Sequence, residues 1–124
     1  MSDGRRILLT GGAGFIGSHL AERLLRRGCA LTIVDDFNDY YDPRLKEANI
    51  RSVRKVGAFR LVRRDIRDGK AMERLFASAK PEVVIHLAAR AGVRPSLADP
   101  ALYAGVNVIA TIRLLELAQR FGVR

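Results

Sequence analysis

Apolar residues in this chain fall into short unbroken runs, separated by stretches in which they recur every three or four positions. Ile7, Leu8 and Leu9 form the first run, Leu31, Ile33 and Val34 dominate the second, and Val83, Val84 and Ile85 a later one. Runs of this length without polar alternation predict strands covered on both faces. Between them, Ile16, Leu20, Leu24 and Leu25 recur at helical spacing, and Gly28 marks where that helix stops. The pattern predicts strands at residues 5–10, 30–35, 59–63 and 82–87, and helices at 15–27, 44–53, 70–79 and 100–121. Pro43 and Pro100 suit first helical turns, and Gly122 a helix stop. The polar, aromatic stretch at residues 36–43 is rich in turn formers and predicts a loop.

Residues 10–17, Thr-Gly-Gly-Ala-Gly-Phe-Ile-Gly, lie between the first strand and the first helix. Gly11, Gly14 and Gly17 follow the spacing of a dinucleotide-binding turn. Gly11 allows the tight exit from the strand, Gly14 lets backbone approach a pyrophosphate, and Gly17 lets the helix pack closely. The helix starting here directs free N–H groups and the positive end of its dipole at the phosphates. The second strand ends about 20 residues later at Asp35, where an acid accepts from a ribose 2′-hydroxyl. A carboxylate there repels a 2′-phosphate, and no Arg or Lys follows before Arg44, so NAD is expected over NADP.

Strands alternating with helices imply βαβ units, and right-handed crossovers order them 3-2-1-4. The expected fold class is α/β: a Rossmann-type parallel sheet flanked by helices, stopping short of a fifth strand. Its crevice opens at the carboxyl ends of strands one and four. Residues 1–124 are expected to form one partial domain of this type.

Composition narrows the picture further. The chain has 124 residues, 48% of them hydrophobic, which suits a globular domain with a core. No run is expected to approach the ~20 apolar residues that a membrane span needs, and no signal peptide is read at the amino terminus. Cys29 is the only cysteine; it reads as a small core residue, and a cytoplasmic location is expected. The net charge of +9 comes from arginines scattered over several elements, with no aromatic-interleaved stripe, so no nucleic-acid partner is expected. His19 and His86 lie far apart without a third ligand at metal spacing, so no metal site is expected, and His86 reads as a satisfied interior histidine.

The chain resembles the amino-terminal half of extended short-chain dehydrogenases/reductases, the NAD-dependent sugar-nucleotide epimerases and dehydratases. The resemblance is carried by residues 10–17, Asp35, Asp65-Ile66, His86-Leu87-Ala88-Ala89, and Tyr103 with Asn107. Two finer stretches, residues 35–43 with Leu45-Lys46 and residues 91–96, are similar to UDP-glucuronate 4-epimerases. The resemblance implies that Gly11, Gly14, Phe15 and Ile16 line the pyrophosphate turn. It places Asp35 on the adenosine ribose with Asn38 nearby, Asp65 and Ile66 at the adenine, and Leu87, Ala88 and Ala89 along the path to the nicotinamide. Arg94 would lie near a sugar nucleotide, its guanidinium forking onto a carboxylate or phosphate; the alternative is an ordinary surface-loop arginine. Two departures stand out: Arg64 precedes the adenine-side acid where many relatives have glycine, and Val106 stands where some relatives are polar.

The resemblance also implies a tyrosine base with lysine four residues on, in a carboxyl-terminal half not contained in these residues. Here Tyr40 is followed by Arg44, Tyr41 by Leu45 and Tyr103 by Asn107. No catalytic residue is therefore expected within the chain. The expected function is the NAD-binding part of a UDP-sugar 4-epimerase, acting through a transient 4-keto sugar, with a homodimer as the expected assembly. The alternatives are a self-standing NAD-binding module without chemistry and a sugar-nucleotide 4,6-dehydratase.

Overall fold

A computed structural model describes residues 3–123. Four parallel strands form one sheet in the order β3-β2-β1-β4: β1 (Arg6–Thr10), β2 (Ala30–Asp35), β3 (Arg60–Arg63) and β4 (Val83–His86). Leu8 pairs with Thr32 on one side and Val84 on the other, which fixes the register at the centre. Successive residues of a strand face opposite ways, and the core divides accordingly. Leu8 and Val34 pack with Met72, Phe76, Ala110 and Leu114 on one face. Ile7, Leu9, Leu31 and Ile33 pack with Ala21, Leu24, Ile50 and Val53 on the other.

The helices that cover these faces are α1 (Phe15–Arg26) and α2 (Pro43–Val56) on the second face, with α3 (Gly69–Ala79) and α6 (Ala110–Arg120) on the first. Asp42 and Asp68 cap α2 and α3 by accepting from Arg44 N and Ala71 N.

Three expectations are corrected. Strands β3 and β4 are shorter than predicted, because Phe59, Glu82 and Leu87 fall outside the ladders. Between β4 and the last helix, where the pattern predicts no element, lies a short helix, α4 (Val93–Ala98), whose exposed apolar residues give no core-facing stripe to read. The last helix is not one regular coil: α5 (Pro100–Ala104) and α6 are joined by a π-helical turn, Gly105–Ile109. Joined, Pro100–Arg120 spans 21 residues with a mean hydropathy of 1.4, long and apolar enough to cross a membrane. The expectation of no such run overlooked it. Val106, Ala110, Leu114 and Leu117 seat one side of this helix in the core beside β1 and α3, while most of the apolar window is exposed.

Candidate cofactor-binding site

The carboxyl ends of the strands open onto a crevice of about 220 Å³. Gly11, Gly14, Asp35, Asn38, Asp65, Ile66, Leu87, Ala88 and Ala89 line it together. Gly17, Phe15, Ile16 and Arg94 do not. Phe15 and Ile16 stand 75% and 70% exposed at the start of α1, and Arg94 is exposed on α4.

The glycines divide by what demands them. Gly11 has φ +74°, and a Cβ there would lie 2.8 Å from Ala88 N. A Cβ on Gly17 would lie 2.1 Å from the Gly11 carbonyl oxygen, so the helix start could not sit on the turn. Gly12 was not singled out from the sequence, yet its Cβ would strike the Ile33 side chain at 2.5 Å. Gly14 differs: a Cβ there would meet only the Gly11 oxygen, at 3.4 Å. The fold therefore does not require glycine at 14; its open side faces the crevice, a cradle that a larger side chain would fill. Helix α1 begins at this point with no side-chain cap and no acid in its first turn, which leaves its leading N–H groups for an anion.

Asp35 closes β2 as a buried carboxylate. Ala13 N donates to its Oδ2 at 3.1 Å and Phe37 N to its Oδ1 at 2.9 Å. Burial pushes its pKa up, against the opposing effects of the Phe37 N–H, the Lys46 charge and the Ala13 N–H. Each oxygen keeps lone-pair capacity for a ligand hydroxyl. Phe37 adopts φ +53°, a left-handed conformation uncommon for a non-glycine residue, and Arg63 stacks 4.0 Å from its ring centroid.

Lys46 changes the charge argument drawn from the sequence. Its Nζ lies 4.0 Å from Asp35 Oδ1, both side chains are 7% exposed, and it lines the crevice. A cation thus stands beside the acid although no Arg or Lys lies between Asp35 and Arg44 in sequence. The available signal was a lysine in register with Ile50 and Val53 on the apolar stripe of α2. Asn49 joins the same helix to the glycine turn, its Nδ2 donating to Ala13 O at 2.9 Å.

Asp65 is already engaged. Arg67 Nη2 lies 2.6 Å from Oδ2 and Arg67 N donates to Oδ1 at 2.8 Å. Burial alone would raise this carboxyl, but the Arg67 hydrogen bonds and charge hold it below the usual range. Asn38 is held by Asp36, to which its Nδ2 donates at 2.8 Å.

The wall after β4 is clamped from the last helix. Asn107 accepts from Arg90 N at 2.7 Å and donates from Nδ2 to Arg90 O at 2.9 Å. Tyr103 donates to Ala91 O at 2.7 Å. Asn107 sits within the π turn, whose wider coil carries it to face the residue 90 backbone. Tyr103 is engaged in this way, Tyr40 and Tyr41 also line the crevice, and together the lining offers an anion cradle, a hydroxyl-accepting acid and an apolar wall.

Comparison with known proteins agrees with this geometry. Residues 8–124 match the family model described as GDP-mannose 4,6 dehydratase. A UDP-glucuronate 4-epimerase from Thermodesulfobacterium geofontis is 44% identical over 117 residues, 94% of this chain and 36% of the relative. UDP-glucose 4-epimerase from Stenotrophomonas maltophila, solved with NAD and formylated UDP-arabinopyranose, superposes with a TM-score of 0.83 at 31% identity, covering 97% of this chain and 35% of that one. UDP-glucose 4-epimerase from Thermotoga maritima, solved with UDP-glucose, gives a TM-score of 0.80 at 37% identity over 94% and 35%. The chain thus spans about a third of the length of these proteins.

Proposed function

This chain belongs to the GDP-mannose 4,6-dehydratase family, the NAD-dependent epimerases and dehydratases of nucleotide sugars, and from that premise we propose that it is the NAD-binding part of a UDP-sugar 4-epimerase, with UDP-glucuronate as the substrate. The observation that carries the proposal is the pairing of the Gly14 cradle with buried Asp35 in one crevice. The residues present fit NAD. The open face of Gly14 and the uncapped start of α1 would hold the pyrophosphate, and Asp35 would accept from the adenosine ribose. Ile66 would flank the adenine, and Ala88 and Ala89 would let the cofactor pass close to the chain.

When bound, NAD would supply a reversible hydride acceptor for the sugar C4, so that a 4-keto sugar would form once a base took the C4-hydroxyl proton, and the hydride could return to the opposite face. The residues of this chain would bind the cofactor and orient it along the wall after β4. The proton would be handled by a tyrosine–lysine pair outside residues 1–124. A substrate role for Arg94 rests on the same reading; α4 carries it exposed, outside the crevice lining. The homology to UDP-glucuronate 4-epimerases supports the choice of sugar. A homodimer and a cytoplasmic setting are part of the proposal.

The test is calorimetric titration of the folded chain with NAD and NADP. Saturable binding of NAD, weaker or absent with NADP, is the expected result; no binding of either overturns the proposal.

A further inference from the structure

Thr10, His86 and Thr111 form a hydrogen-bonded line from β1 through β4 to α6. The Thr10 hydroxyl lies 2.6 Å from His86 Nδ1, and His86 Nε2 lies 2.9 Å from the Thr111 hydroxyl. Two backbone N–H groups, those of Leu87 and Ala88, donate to Thr10 Oγ1 at 3.0 Å each. Leu87 N also approaches Thr10 O, at 3.2 Å. A hydroxyl has two lone pairs and one hydrogen. With both lone pairs taken, Thr10 has only its hydrogen left, and among the described residues Nδ1 is the acceptor it meets.

The direction of every bond then follows. Thr10 O–H donates to an unprotonated Nδ1. The neutral ring carries its hydrogen on Nε2 and donates to Thr111 Oγ1. Thr111 in turn donates to Asn107 O at 3.0 Å. Asn107 is the residue whose side chain grips the Arg90 backbone. A ring protonated at Nδ1 would point a hydrogen at an oxygen with no free lone pair, and Thr10 would have to release one of its two N–H partners.

We infer that His86 is a positioning residue for the cofactor crevice: as the Nε2–H tautomer it fixes the Thr10 hydroxyl so that one oxygen pins both Leu87 and Ala88. The inference rests on the proposed NAD site for its functional consequence, but not for the tautomer. Thr10 is fully buried and Leu87 and Ala88 line the crevice, so the ring sets the wall without touching a ligand. Burial also keeps the imidazole below its ordinary pKa, in line with a neutral ring.

The first test needs no variant. Nitrogen-15 NMR of the histidine rings in the unmutated chain at neutral pH should show His86 protonated at Nε2 and bare at Nδ1. A ring protonated at Nδ1 overturns the inference. Two substitutions then separate the ring's two edges. In His86→Asn the amide oxygen takes the place of Nδ1 and can still accept from Thr10. In His86→Gln the amide sits at the Nε2 position and the Nδ1 acceptor is lost.

Amide exchange at Leu87 and Ala88 should accelerate by about tenfold in His86→Gln, the scale of one buried hydrogen bond, and stay near the unmutated rate in His86→Asn. NAD affinity should follow the same order. Equal exchange in the two variants overturns the inference. If the chain binds no NAD while tautomer and exchange behave as stated, the cofactor reading fails and the positioning role of His86 stands.

Discussion

Lys46 and Asp35 meet across the floor of the crevice, with Nζ 4.0 Å from Oδ1 and both side chains almost wholly withdrawn from solvent. The lysine offsets part of the cost of burying the acid, which hydrogen bonds from Ala13 N and Phe37 N also reduce. Lys46→Met removes the cation and leaves the carboxylate with backbone donors alone. Stability in urea unfolding should fall by about 3 kcal/mol, the scale of breaking a buried pair. Lys46→Arg should recover part of the loss. An unchanged midpoint in Lys46→Met would mean that the pair does not contribute.

Asp35 should set the cofactor preference. Asp35→Ala is expected to weaken NAD binding by about 1–3 kcal/mol, the cost of losing a hydrogen bond to a charged acceptor. It should also lower the melting temperature, because the buried Ala13 N–H and the partly buried Phe37 N–H lose their acceptor. Equal affinity of the unmutated chain for NAD and NADP would sink the assignment.

Two glycines give opposite outcomes. Gly14→Val sets its Cβ at ordinary contact distance from the Gly11 oxygen, 3.4 Å, so helical circular dichroism should persist while NAD binding is lost. Gly17→Val drives a Cβ into the Gly11 oxygen, so folding itself should suffer. Retained NAD affinity in Gly14→Val would show that the phosphates lie elsewhere.

The dependence of stability on pH should carry the mark of His86. Burial holds its folded-state pKa below the ordinary value of 6.5. The unfolded chain then takes up the proton first, so stability is full above pH 6.5 and falls as the pH drops toward the folded-state pKa. Thermal unfolding followed from about pH 8 to about pH 5 should show the decline. His86→Asn should flatten it, and an identical profile in that variant would refute the linkage.

Residues 1–124 should be catalytically silent and self-associating. No tyrosine has a lysine four residues on, so purified chain should not interconvert UDP-glucuronate and UDP-galacturonate. Among the described residues strand β4 pairs with β1 alone, leaving an edge, and Val108, Ile112 and Leu115 lie exposed along the last helix. Sedimentation should show dimers or larger species, and Ile112→Lys with Leu115→Lys should shift them toward monomer. A stable unmutated monomer would refute the association, and steady epimerisation would refute the silence.

The sheet and the glycine turn were legible in the sequence because both depend on local pattern. Unbroken apolar runs require cover on both faces, and Gly11, Gly14 and Gly17 with Asp35 mark a βαβ unit whatever surrounds it. The order β3-β2-β1-β4 followed from crossover handedness. Tertiary structure alone decided the rest. Lys46 reaches Asp35 only because α2 turns its buried stripe toward β2, a relation that charge counted along the chain does not reveal. Arg94 stands away from the crevice because α4 is a separate short helix. The joining of Thr10 to His86 and Thr111 links residues far apart in sequence, and its direction comes from the count of lone pairs on one buried oxygen. Local sequence dictates which elements form; pairing of buried polar groups depends on how those elements meet, since each such group must find its partner wherever the fold brings one.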